Sequence, residues 1–142
     1  MTAIKQYRKL LDCEFLEIIA QENCVIIAET EKRFLGLIAD LPGNYFVDLV
    51  KAGRMFCSDI ISGGEPLYRV FWQKQNGDLF VCVAIALSNR ENIIALGQGI
   101  DEIARVNGCR SISFQTARLG QIAQAKSWGA EITGVVMKKF LT

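Results

Sequence analysis

The chain has 142 residues, 51% of them hydrophobic, and its 16 Lys and Arg nearly balance its 15 Asp and Glu for a formal net charge of +1. That length suits one domain with a real core, the composition excludes a disordered chain, and the charge excludes a field that would by itself recruit nucleic acid or anionic lipid. The lack of any histidine removes Ser-His-Asp and Cys-His catalysis, histidine metal sites and the commonest general base.

The opening MTAIKQYRKLLDCEF carries charge throughout and does not read as a signal peptide. Leu10, Leu11, Phe15, Ile18 and Ile19 suit a helix from about Ile4 to Ala20. CVIIAE is strand-like, FLGLIAD suits a strand or a short helix, and Pro42-Gly43 is a turn. NYFVDLVKAG predicts a short helix carrying Phe46, Val47, Leu49 and Val50 and ending at Gly53. RMFCSDIIS then reads as a strand, GGEP (Gly63 to Pro66) as a turn and LYRVFWQKQ as a second strand. Asn76-Gly77 is a strong hairpin signal, and DLFVCVAIAL completes an antiparallel meander whose apolar last strand is expected inside the sheet.

After Leu87 the period becomes helical. Ile93, Leu96, Ile100, Ile103 and Ala104 share a face, Gly108 is the stop, and Ser88 with Glu91 has capping-box spacing that predicts a start at Asn89 or Arg90. ALGQGIDEIAR holds a Gly-x-Gly that resembles a phosphate turn, but the spacing puts Gly97 and Gly99 inside this helix, where they read as close packing against the sheet. CRSISFQT is a strand by alternation, ARLGQIAQAKSW an amphipathic helix stopped by Gly129, and EITGVVMKKFL a closing strand. The expectation is an α/β (α+β) mixed sheet, a meander followed by β-α-β-α-β with helices on both faces.

The five cysteines, Cys13, Cys24, Cys57, Cys82 and Cys109, form no C-x-x-C pair and read as buried reduced thiols. The longest apolar run, Leu79 to Leu87, is too short for the roughly 20 residues of a membrane helix. A soluble, cytoplasmic protein without a metal site is expected.

This order of elements resembles the GNAT (Gcn5-related N-acetyltransferase) superfamily. IDEIARVNGCRSISF is similar to that family's central helix running into its fifth strand, and AKSWGAEITGVVMKKFL to its closing segment. LVKAG, IARVNGC and ARLGQ further resemble small GNAT-like proteins of bacteriophages and prophages. The resemblance implies a single domain over 1–142, with a core in 43–142 and a poorly matched 1–42.

It also implies where chemistry should lie. The family holds the cofactor's pyrophosphate on a glycine-bearing turn before the central helix. Here that turn falls on LSNREN, which has no glycine, and leaves Leu87, Ser88, Asn89 and Arg90 as the cofactor-binding candidates. Arg118 with Thr116 is a second possible anion site. With Gly129 as the glycine of that segment, the family's general-acid tyrosine aligns with Ala125, and Trp128 next to the glycine has only an indole N–H, so no catalytic residue is assigned. Asp59, Glu65 and Asp78 are the carboxylates available as a base. A degenerate acetyl-CoA site follows, and with it a non-catalytic phage or virion-associated protein that binds no cofactor. Such a protein would act on a protein partner or its own copies, with the edge aromatics of YRVFW as one contact surface, and on neither nucleic acid nor membrane. The alternative is an active N-acetyltransferase using acetyl-CoA.

Overall fold

The computed structural model describes residues 5–11, 16–35, 44–89, 92–115, 126–131 and 139, without the side chains of 5–11, 34 and 35. Strands β1 (Lys5–Leu11), β2 (Leu16–Gln21), β3 (Phe56–Ser62), β4 (Glu65–Gln75), β5 (Asp78–Ala86) and β6 (Ser111–Phe114) form one sheet in that spatial order. All neighbours are antiparallel except β5 and β6, which are parallel. Helices α1 (Cys24–Leu35) and α2 (Tyr45–Lys51) precede β3, and α3 (Ile93–Val106) joins β5 to β6. Among the described residues no helix is long and apolar enough to cross a membrane.

The meander follows local chemistry. Asn76 (φ 52°) and Gly77 (φ 78°) both occupy the left-handed region that a two-residue hairpin turn demands, which sets the β4–β5 register from Gln75↔Asp78 onward. The turn before β4 is shorter than GGEP suggests, since Glu65 and Pro66 already pair with Ser62 and Ile61. Helix α2 ends before Gly53 (φ 70°), as its sequence predicts.

The N-terminal third departs from the sequence expectation. Of the residues read as a helix from Ile4 to Ala20, those described are strand, in β1 and β2, and CVIIAE is the start of α1, not a strand. β2 lies between β1 and β3, and from Leu16 to Ile19 its residues alternate between buried and half-buried, the period of a strand. Helix α1 is set by Asn23, whose Oδ1 accepts from the amides of Val25 (3.0 Å) and Ile26 (3.4 Å), followed by the helix formers of ETEKRFL. The turn read at Pro42-Gly43 lies outside the described residues, as does the closing strand apart from Glu131 and Lys139. Of the predicted helix before Gly129, only Lys126 and Ser127 are described as helical.

Two apolar layers cover the sheet. On one face Leu16, Ile18, Ile60, Val70, Trp72, Leu79 and Val81 pack against Ile100, Ile103 and Ala104 of α3. On the other, Cys57 and Phe71 pack against Ile27 of α1 and Phe46 and Val47 of α2. The aromatics of YRVFW belong to these layers: Tyr68, Phe71 and Trp72 are buried on a central strand, so the contact surface expected of them is absent. Cys57 is buried, Cys24, Cys82 and Cys109 are partly so, and all four are free thiols.

Candidate functional site

The site is built around β5. Its lower half pairs with β6 from Asp78↔Ser111 to Val81↔Phe114, where pairing ends among the described residues. Among the described residues, Cys82 to Ala86 continue with β4 alone. At this parting the β4–β5 register slips, because Phe71 faces Val83 while Trp72 faces Val81, and Cys82 is the extra residue of a β-bulge. A bulge takes backbone groups out of the ladder, and an unpartnered edge offers a row of N–H and C=O groups. Both occur at the same residue. The Cys82 side chain packs toward α1 and α2, and burial pushes its thiol up to about 11. It is a neutral thiol at physiological pH and a poor nucleophile.

Above this opening stands the first turn of α3. The helix begins at Ile93, with Asn92 as its cap, whose Oδ1 accepts from the Ala95 amide at 3.0 Å. The start predicted from Ser88 and Glu91 is therefore corrected to a later residue. Ser88 instead donates its hydroxyl to Glu65 Oε1 (2.8 Å), a partner from another strand that local spacing cannot reveal. The Asn92 amide donates to Tyr68 Oη at 2.9 Å. Early helix amides have no intrahelical acceptor, and among the described residues none accepts from those of Ile93 and Ile94.

Of the candidate cofactor residues, Leu87 donates its amide to Leu67 O (2.9 Å), Ser88 is tied to a carboxylate, Asn89 is exposed and Arg90 lies outside the described residues. The Glu65 charge beside Ser88 disfavours an anion there. Thr116, Arg118 and Ala125 also lie outside the described residues.

Gly97 and Gly99 lie within α3, as their spacing predicts, but they divide the packing role. A Cβ on Gly99 would meet the Cδ1 of Ile60 and lie 2.7 Å from its Cγ1, so this glycine lets the helix touch the sheet. A Cβ on Gly97 would meet Trp128 Nε1 at 3.2 Å. Trp128 donates that N–H to Asp101 Oδ2 at 3.0 Å, latching the segment before Gly129 onto α3. Ile93, expected on the buried face, is 43% exposed.

The three carboxylates are engaged elsewhere. Asp59 is buried and receives Arg69 Nε (2.7 Å), Arg69 Nη2 (2.8 Å) and Gln21 Nε2 (3.1 Å). Asp78 accepts from the hydroxyls of Ser111 (2.7 Å) and Ser113 (2.8 Å) at the hairpin end of β5. Four residues of strand, about 13 Å, separate it from the bulge. Glu65 is at the far end of β4, against Ser88. Among the described residues no group of three or more Cys, Asp or Glu side chains could hold a metal ion. Sequence reasoning missed Tyr68 and the Cys82 bulge, since both depend on which residues the strands place side by side.

The fold has solved counterparts. The chain is similar to the aminoglycoside N-acetyltransferase AAC(6')-Iy in complex with a bisubstrate analogue of CoA, with 16% identity, a TM-score of 0.62, and 89% of this chain and 98% of that one covered. It is also similar to a possible acetyltransferase from Clostridium difficile 630 (11% identity, TM-score 0.63, 89% and 97% covered). A third is an aminoglycoside acetyltransferase from an uncultured soil metagenomic sample in complex with trehalose (12%, 0.62, 92% and 99%). The fold is the GNAT fold. No family model matches the chain, and no curated protein matches it. In this GNAT fold the meander, α3 and β6 take the places expected from the sequence resemblance, and β1 and β2 add two strands ahead of them.

Proposed function

We propose that the chain is an acyl-CoA-dependent N-acyltransferase whose donor lies where β5 leaves β6. The observation that carries this reading is the coincidence at Cys82 of a β-bulge with the end of parallel pairing. The open edge from Cys82 to Ala86 fits an extended chain bearing amides, such as the pantetheine arm, which can add there as a strand would. The Ile93 and Ile94 amides and the α3 dipole fit the phosphates. The turn at Leu87 to Asn89 contributes less than a glycine turn would. Acetyl-CoA, when bound, supplies an acyl group activated as a thioester. The chain's own part is to hold that group against an amine, with a backbone N–H freed at the bulge donating to the acyl oxygen. With Asp59 committed to Arg69, positioning carries most of the rate. That solved neighbours are named as aminoglycoside acetyltransferases supports an amine acceptor.

Titration calorimetry with acetyl-CoA tests the donor site, and mass spectrometry of an aminoglycoside incubated with both tests transfer. Saturable binding and a product heavier by one acetyl group are expected. Absence of binding at millimolar acetyl-CoA overturns the proposal. One observation favours a second reading, a GNAT-fold protein acting through protein contacts: the large apolar side chains of Ile94 and Val25 stand 67% and 66% exposed. That role, in a phage or virion setting, predicts neither binding nor product.

A further inference from the structure

The start of α3 has four amide donors without an intrahelical acceptor, Asn92 to Ala95, and the chain itself takes two of them. Tyr68 Oη accepts from the Asn92 amide at 2.9 Å, and Asn92 Oδ1 accepts from the Ala95 amide at 3.0 Å. The amides of Ile93 and Ile94 meet no acceptor among the described residues. Tyr68 is 5% exposed, and among the described residues its hydroxyl proton has no acceptor either. A buried donor without a partner calls for one. Two helix amides and one hydroxyl, all at one turn, match the oxygens of a single phosphate.

A second phosphate finds less in the turn ahead. Leu87 has given its amide to Leu67 O, and the Ser88 hydroxyl lies on the Glu65 carboxylate. Further negative charge on a ligand meets that carboxylate. One phosphodiester therefore fits this start of α3 better than a diphosphate carrying a nucleotide. Beside the same turn, the side chains of Ile93 and Ile94 stand 43% and 67% exposed. Among the described residues they are the only large apolar neighbours in sequence that are both exposed. An apolar pair next to a polar binding turn fits the surface of a protein that delivers the phosphate.

Resting on the acyltransferase reading, we infer that the donor is a 4′-phosphopantetheine thioester borne by a carrier protein. The arm enters along Cys82 to Ala86, and its one phosphate takes the Ile93 and Ile94 amides and the Tyr68 hydroxyl. The carrier's own surface covers the two isoleucine side chains. Acetyl-CoA presents the same arm and phosphate, so it binds as well, but its nucleotide adds nothing. In transfer the acceptor nitrogen bonds the acyl carbon, the C–S bond breaks, and a proton from the nitrogen goes to the pantetheine sulfur.

Calorimetry on the full chain tests this with acetyl-CoA, S-acetyl-4′-phosphopantetheine, S-acetylpantetheine and an acyl carrier protein loaded with the acetylated arm. Acetyl-CoA and S-acetyl-4′-phosphopantetheine should bind within about twofold of each other. S-acetylpantetheine, which lacks the phosphate, should bind about tenfold more weakly, and the loaded carrier about tenfold more tightly. Ile94→Gln should cut the preference for the carrier over the free arm to about twofold. Three results would each overturn the inference while leaving the acyltransferase reading in place: acetyl-CoA about tenfold tighter than S-acetyl-4′-phosphopantetheine, a carrier no tighter than the free arm, or an unchanged carrier preference in Ile94→Gln. Binding of none of the probes overturns both.

Discussion

Arg69 and Asp59 are register partners on β4 and β3, and their side chains meet in a two-pronged ion pair with both groups about 95% buried. Arg69 Nη1 reaches on to Thr30 Oγ1 and Ile26 O, so the pair also fastens α1 to the sheet. A buried pair is worth little net but is costly to halve, because the survivor stays charged and dry. Arg69→Met should therefore cost about 3–5 kcal/mol in urea unfolding, whereas Asp59→Leu/Arg69→Met should recover much of that loss. Equal costs for the single and double variants would refute the pairing as the source.

The two helix glycines should separate in stability. Gly99→Ala forces a Cβ into Ile60 and is expected to destabilise by about 1–3 kcal/mol. Gly97→Ala meets only the indole edge of Trp128 and gains ~1 kcal/mol of helix propensity, so it should be near neutral or stabilising. Adding Ile60→Ala should relieve part of the Gly99→Ala cost, which a double-mutant cycle reads directly.

Asn92→Ala removes the cap of α3 and should cost about 1 kcal/mol. Ser88→Ala should leave the helix start unchanged, because Ser88 bonds to Glu65. Under the proposed function, Asn92→Ala should also weaken acetyl-CoA binding by calorimetry. A larger stability loss from Ser88→Ala than from Asn92→Ala would restore the earlier helix start.

Stability should fall in alkali. Burial raises the thiols of Cys57, far above its ordinary value, and of Cys82, to about 11. Near neutral pH folded and unfolded thiols are both protonated and nothing is lost. Above about pH 9 the unfolded chain releases these protons while the folded chain keeps them, so stability declines with pH, by up to ~1.4 kcal/mol per unit for a fully buried thiol. Urea melts between pH 8 and 10.5 should show this slope, and Cys82→Ala should reduce it. An unchanged slope in that variant would contradict the burial of the thiol.

Legibility of the candidate site in sequence was uneven. The absence of glycine before α3 was visible in LSNREN, and so was the placement of Gly97 and Gly99 inside the helix. The bulge at Cys82 was not, because it is a mismatch in count between two paired strands, and a single strand carries no trace of it. Tyr68 was legible only as a strand aromatic. Its bond to the Asn92 amide spans 24 residues of chain.

What the sequence alone determined was what neighbours in the chain decide. Asn76-Gly77 forces a hairpin through its left-handed backbone, Gly53 and Gly108 stop helices for the same reason, and the apolar period after Leu87 makes α3. Tertiary structure decided the remainder. It drew residues 5–11 and 16–21 into two strands against the helical spacing read there, because β1 pairs with β2 and β2 with β3, which satisfies their backbone groups. It also gave Ser88 to Glu65, set Gly99 rather than Gly97 against the sheet, and shut Arg69 in with Asp59. Each of these turns on a partner distant in sequence, and only the folded chain supplies it.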